Sequence, residues 1–314
     1  MSEFRERDLP PGRHHLLREH LLTEIRQSKA VPAAAPKKKS QRRWFRPALI
    51  AGAVAAAVAA GVIVASPFGG QSAQAAPSAE TVRMLKEIAA AAERQPVQKD
   101  IRDDQFVYIR SKGGYLGVGG DGPAKLDPVH PREFWQSVDG RHGDVIHEPL
   151  HDLDMERFDP DIGPGEPLPE SATNYRNLEK LPTDPVNMLD WLHKVSEGGE
   201  SEDQNTFVLV GDLSLESLMP PKQAAALYLA AAKIPGVKLI DDVTDADGRH
   251  GVAIARENDG ERQELIFDKE TKQFLGERQV ATEDTQGFEK GDVVGRSAVL
   301  ERVVVDKAGK RPRD

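Results

Sequence analysis

His147-Glu148-Pro149-Leu150-His151 spells HExxH, the pattern with which zinc proteases hold their metal. In those enzymes two histidines four residues apart on one helical face ligate zinc, and the glutamate beside them serves as general base. Pro149 defeats that geometry. Proline is tolerated only in the first turn of a helix, so His147 falls at the helix boundary and the shared face is lost. The residues that follow, DLDMERFDPDIGPGEP, do not continue a helix. The stretch reads as a strand end running into a loop, with no metal held in the protease manner.

Four carboxylates, Asp152, Asp154, Asp159 and Asp161, cluster in the same Pro-rich tract and offer the hard oxygen donors that calcium requires. The EF-hand spacing fails, because position six from Asp152 is Arg157 and position twelve is Gly163, where Gly and Glu are needed. A solvated loop is the plainer reading. Asp241, Asp242, Asp245 and Asp247 read as strand-end and turn residues. Nucleophilic chemistry has no G-x-S-x-G elbow to work from. Gly117-Val118-Gly119-Gly120 runs into Asp-Gly-Pro, a turn rather than a phosphate cradle. Cysteine is absent, which excludes disulfides, thiolate nucleophiles and Cys-based zinc sites. Tyr108, Trp135, Trp191 and Tyr228 read as core residues rather than the lining of a cavity. No catalytic residue, no metal and no cofactor is expected, and the protein is not expected to be an enzyme.

The elements around these residues point to an α+β domain over 79–308. Ser78 is a candidate N-cap for a helix over TVRMLKEIAAAAER. Gln105–Ser111 reads as a strand stopped by Gly113-Gly114. Glu133–Val138 and Arg141–Glu148 flank Asp139-Gly140, a two-residue hairpin signal. Asp184 followed by Pro185 opens a helix carrying Met188, Leu189, Trp191, Leu192 and Val195. Residues 203–219 suit helix better than strand, and Pro220-Pro221 opens another helix that Pro235-Gly236 closes. Five strand-like runs follow: Val237–Val243, His250–Arg256, Gln263–Phe267, Gln273–Val280 and Ala298–Val304. Asp247-Gly248, Asp259-Gly260 and the tract 268–271 supply the turns. Short turns join antiparallel strands, so the expected fold is an antiparallel sheet with helices covering one face. Residues 309–314 read as a tail.

Charge is segregated along the 314 residues. Residues 1–46 hold twelve Lys/Arg against five Asp/Glu, whereas 47–314 hold thirty against forty-six. Between the two lies Ala48–Ala65, eighteen apolar or small residues without a charge. As a helix this run is about 27 Å long, and about 33 Å if Pro47 through Phe68 are included, against a hydrocarbon core of about 30 Å. Lys37, Lys38, Lys39, Arg42, Arg43 and Arg46 precede it, with Trp44 at the position of an interfacial anchor, and no basic residue follows until Arg83. The positive-inside rule then leaves the N-terminus in the cytoplasm. The expected layout is a cytoplasmic segment 1–46, a transmembrane helix 47–67, a linker 68–78 and an extracytoplasmic domain. A cleaved signal peptide ending at Ala73-Gln74-Ala75 is the competing reading, but its n-region would run to 46 residues. The acidic outer domain should repel nucleic acid.

Within the cytoplasmic segment, Leu17, Leu21, Leu22 and Ile25 give residues 13–26 one apolar helical face. That face either docks a cytoplasmic partner or rests on the anionic inner leaflet, and apolar periodicity does not separate the two. His14, His15 and His20 read as solvated or headgroup-facing side chains.

Several phrases resemble a known family when taken together: AALYLAAAKIPGV (225–237), DADGRHGVAIARE (245–257), ELIFDKETKQFLGER (264–278) and SAVLERVVVDKAGKRP (297–312). EFWQSVDG (133–140) and DLPPGRHHLLREHLLTEI (8–25) belong with them. The chain resembles a family of actinomycete single-pass membrane proteins encoded beside extracytoplasmic-function sigma factors. The resemblance implies the same inside–anchor–outside layout and a role in sigma-factor control, and it carries no catalytic residues. The His-x3-Cys-x2-Cys zinc motif of one class of anti-sigma factor is absent. A non-catalytic envelope sensor with a sigma factor or other transcription protein as partner is the resulting expectation. The alternative is a tethered extracytoplasmic module for an apolar ligand such as a lipid or lipoprotein.

Overall fold

A computed structural model describes residues 74–312 apart from 97, 117–124, 161, 164, 197–200 and 285–286. The readings placed on residues 1–73 lie outside the described residues, as do Gly117–Gly120 and Asp161. Among the described residues no helix is long and apolar enough to cross a membrane.

Among the described residues, nine antiparallel strands form one sheet. They are β1 (Phe106–Tyr115), β2 (His130–Ser137), β3 (Asp144–Glu148), β4 (Leu153–Phe158), β5 (Lys238–Thr244), β6 (His250–Asn258), β7 (Glu261–Asp268), β8 (Phe274–Ala281) and β9 (Val293–Val305). Their order across the sheet is β4-β3-β2-β1-β9-β8-β7-β6-β5. The long β9 joins two sets of neighbours, pairing with β1 on one side and β8 on the other. The helices are α1 (Ala79–Glu93), α2 (Tyr175–Leu178), α3 (Pro185–Val195), α4 (Glu202–Glu216) and α5 (Pro221–Ala231). The architecture is therefore α+β, an antiparallel sheet with helices.

Local chemistry sets most of the boundaries. The Ser78 hydroxyl accepts a hydrogen bond from the Thr81 amide at 3.1 Å and starts α1. Asp184 accepts from the amides of Val186 and Asn187, both at 3.0 Å, with Pro185 at the first helical position. Asp259 and Gly260 both have positive φ, 47° and 78°, as a two-residue hairpin turn demands. The main core lies between the helices and one face of β6 and β7. Phe207, Val210 and Leu213 of α4, Leu227 of α5 and Leu85 and Ile88 of α1 pack there on Val252, Ile254, Leu265 and Phe267. Tyr108, Trp135, Trp191 and Tyr228 are all buried core residues.

Three boundaries differ from the sequence reading. First, β1 runs straight through Gly113 and Gly114 instead of stopping there. A Cβ on Gly114 would lie 2.6 Å from the Asp127 carbonyl oxygen, so this glycine permits a close backbone approach rather than a stop. Second, the β2–β3 connection spans residues 138–143 and is not the two-residue turn expected of Asp139-Gly140. The Ser137 hydroxyl and the Asp139 carboxylate bind the amides of Gly140, Arg141 and His142, and Gly140 and Gly143 both take positive φ. Third, Leu153–Phe158 forms β4, an edge strand whose charged, mostly exposed side chains hide it from any hydrophobic pattern. At the other end of the chain, the Trp135 indole donates to the Lys310 carbonyl and Arg311 grips Glu133 with two bonds of 2.6–2.7 Å. The tail is thus docked on β2.

Candidate functional site

Side chains alternate across a strand, and that alternation takes the HEPLH stretch apart. His147 and Glu148 are successive residues of β3, so they face opposite sides of the sheet. His147 approaches Asp154 of β4 at 3.1 Å. Pro149 opens a short 3-10 turn, Pro149–His151, which Asp152 ends with a left-handed φ of 58°. The two histidines of the motif therefore never share a face, as Pro149 foretold.

What the fold assembles instead is Glu148 and His151 with His130, the first residue of β2. Their ligating atoms all lie within 4.8 Å of one another. His130 Nε2 is 2.7 Å from Glu148 Oε1, and His151 Nδ1 is 3.4 Å from the same oxygen. The two imidazoles meet edge to face with centroids 5.0 Å apart. Each ring is also held on its far side. His130 Nδ1 donates to the Pro128 carbonyl at 2.9 Å, and His151 Nε2 bonds the Asp127 carboxylate at 3.1 Å. Asp127 and Pro128 can reach these positions because Gly114 has no side chain and because the Asp127 amide bonds the Tyr115 carbonyl at 2.9 Å.

Arg132 lies two residues along β2 from His130, on the same face. Its Nε is 3.3 Å from Glu148 Oε2, and its Nη2 is 3.3 Å from Glu216 Oε1 at the end of α4. Burial works against the guanidinium charge, but Glu216 and Glu148 outweigh it and strengthen the hold on the proton. Glu148 and Glu216 thus flank Arg132, and Asp127 adds a third carboxylate at His151.

One turn earlier on α4, Asp212 faces the interior toward Glu277 of β8. Burial raises the Asp212 carboxyl well above its usual range, with Glu277 and Glu216 adding like-charge repulsion. Burial likewise lifts Glu277 to about 8. Its Oε1 finds no hydrogen-bond partner among the described residues. The close fit here comes from Gly211, where a Cβ would stand 2.5 Å from that same oxygen. Glu277 therefore keeps its proton at neutral pH, and with Asp212 it forms a polar seam between α4 and β8.

Sequence reasoning singled out Glu148 and His151 but for a helical partnership. His130, Arg132 and Asp127 were missed, since the pairing of β2 with β3 and the docking of Asp127 on the end of β1 bring them to Glu148. Of the carboxylates considered for calcium, the described Asp152, Asp154 and Asp159 form no common cluster. Asp159 instead takes the Arg157 guanidinium at 2.7 Å, and Asp154 lies by His147. Leu17, Leu21, Leu22, Ile25, Lys37, Lys38, Lys39, Arg42, Arg43, Trp44 and Arg46 lie outside the described residues.

No family model matches the chain, and no curated protein does. Among solved structures it is similar to MucB, with 14% identity and a TM-score of 0.24, over 76% of this chain and 62% of that one. The match thus spans less than two thirds of MucB. A likeness that slight leaves the function to be argued from this chain's own residues.

Proposed function

We propose that the protein is a single-pass membrane regulator. Residues 1–46 lie in the cytoplasm, residues 47–67 form the anchor, and the α+β domain lies on the outer side as a non-catalytic sensor of the envelope. The observation that carries this reading is the break in charge across an uncharged run. Six cations crowd its N-terminal flank, and the remainder of the chain is strongly acidic. The domain also has a core of its own that begins at α1, beyond the linker. In this reading the face formed by Leu17, Leu21, Leu22 and Ile25 binds a cytoplasmic partner, a sigma factor or another transcription protein. The family resemblance of the N-terminal and C-terminal phrases points the same way.

Capture on the full-length chain tests the docking face. The native protein should retain a transcription protein, and the triple variant L17D/L21D/I25D should release it. Recovery of no such protein, together with an unchanged transcriptome on deletion of the chain, would contradict the proposal. The alternative of an apolar ligand held by a tethered module gains no support from the described residues. Two surface hollows, of about 420 and 450 Å³, mix apolar residues such as Val237, Leu239 and Val280 with the charged Glu80, Lys238, Asp241, Glu257 and Arg262.

A further inference from the structure

We infer that His130, Glu148 and His151 form a binding site for one divalent transition-metal ion of the zinc class, with a further coordination position open to solvent. This goes beyond the regulatory reading and does not depend on it. Two imidazole nitrogens and one carboxylate oxygen are the donor set that zinc takes in open, three-ligand sites.

The separations fit. With metal–ligand bonds of about 2.0–2.2 Å, neighbouring donors of a tetrahedral ion stand about 3.4 Å apart. His151 Nδ1 and Glu148 Oε1 are already at 3.4 Å. His130 Nε2 and Glu148 Oε1 are hydrogen-bonded at 2.7 Å, so the ion would displace the bridging proton to solvent and part the two by about 0.7 Å. His130 is fixed at the base of the site and His151 stands at its mouth, with 43% of its side chain exposed, which gives an ion its route in.

The surroundings are what separate this cluster from a chance meeting of polar side chains. Metal-binding histidines nearly always donate their second nitrogen to a carbonyl or carboxylate, which fixes the tautomer and aims the free lone pair. Both histidines do so. The Pro128 carbonyl can only accept, so His130 Nδ1 carries the hydrogen and Nε2 is the ligand atom. Asp127 receives the Nε2 hydrogen of His151 and leaves Nδ1 facing the site. Glu148 is oriented in turn, because Arg132 occupies Oε2 and leaves Oε1 for the ion. Glu216 offsets the charge of Arg132, which would otherwise repel a cation.

The test uses the full-length chain in detergent micelles, with His14, His15 and His20 replaced by Ala so that the N-terminal histidines contribute nothing. Zinc is titrated in competition with a chromophoric chelator, and cobalt(II) serves as an absorbing substitute. One equivalent should bind. H151A, at an exposed position, should weaken binding by more than the roughly 10–100-fold expected of the outer variant D127A. H130A and E148A should do the same, whereas H147A should bind as the parent does. Absence of stoichiometric zinc, or H151A binding like the parent while thermal melts show both folded, would overturn the site. Loss of binding in H147A alone would also overturn it, by moving the site to the opposite face of β3.

Discussion

The two ends of the sheet are built differently. From β5 to β8 the inner face is backed by α1, α3, α4 and α5, and Phe207, Leu213, Leu227, Ile254, Leu265 and Phe267 make a continuous apolar interface. From β1 to β4 the apolar clusters are smaller, and His130, Arg132 and Glu148 meet there through their side chains. The larger apolar core lies where four helices back the sheet, and the cluster of His130, Glu148 and His151 lies in the other half, where the end of α4 reaches it through Glu216. A cluster of charged and imidazole groups keeps its ligating capacity only if water and ions reach it, whereas buried hydrocarbon gains by excluding them.

Core truncation should show this difference most strongly. Phe267→Ala should cost about 3–5 kcal/mol in denaturant unfolding, because the ring meets both Tyr228 and Phe274 edge to face. Met155→Ala on the exposed edge strand should change stability by less than about 0.5 kcal/mol. Equal losses at the two positions would break the contrast.

The seam between α4 and β8 should respond to pH. Glu277 has its folded value lifted to about 8, while an unfolded glutamate titrates near 4.3. Between these values the folded chain retains a proton that the unfolded chain has released, so stability falls as pH rises through that window. Glu277→Gln should remove the loss. The variant should exceed the parent by about 2–4 kcal/mol at pH 8–9 and match it near pH 4. A parent that grows more stable from pH 5 to pH 8 relative to the variant would contradict the assignment.

Gly114→Ala links fold to site. Its Cβ would meet the Asp127 carbonyl at 2.6 Å, and backbone must shift to relieve it. A cost of about 1–3 kcal/mol is expected, with weakened zinc binding because Asp127 and Pro128 move together. Retained zinc affinity would show that the segment is not what orients the histidines. The smallest effect on stability belongs to His151→Ala, within about 0.5 kcal/mol, although it should abolish most of the metal affinity.

Legibility in the sequence followed the range of the interactions. Ser78, Asp184-Pro185 and Asp259-Gly260 act on neighbours within a few residues, and each marked its cap or turn correctly. The helix over 202–216 was readable despite its β-branched content. Pairing of β9 with β1 was not, since nothing near Val293 or Phe106 announces a partner almost two hundred residues away. β4 was hidden because an edge strand that is exposed on nearly every residue has no apolar alternation. Gly113-Gly114 was misread because glycine marks both strand ends and close backbone approaches, and only the docked Asp127 tells which. The cluster suffered from all of these at once. Glu148 and His151 stood in a motif that Pro149 rightly excluded from a helix, and His130 lay across a strand pairing that local residues do not encode.

The absence of cysteine makes the layout of the whole chain directly measurable. Single cysteines at Ser2 and at Glu270, in the exposed turn after β7, can be probed on intact cells with a membrane-impermeant maleimide. E270C should label on intact cells, and S2C should label only after lysis. Labelling of S2C on intact cells, protection of E270C, or release of a soluble chain beginning at Ala76 would contradict a regulator that joins the two sides of the membrane.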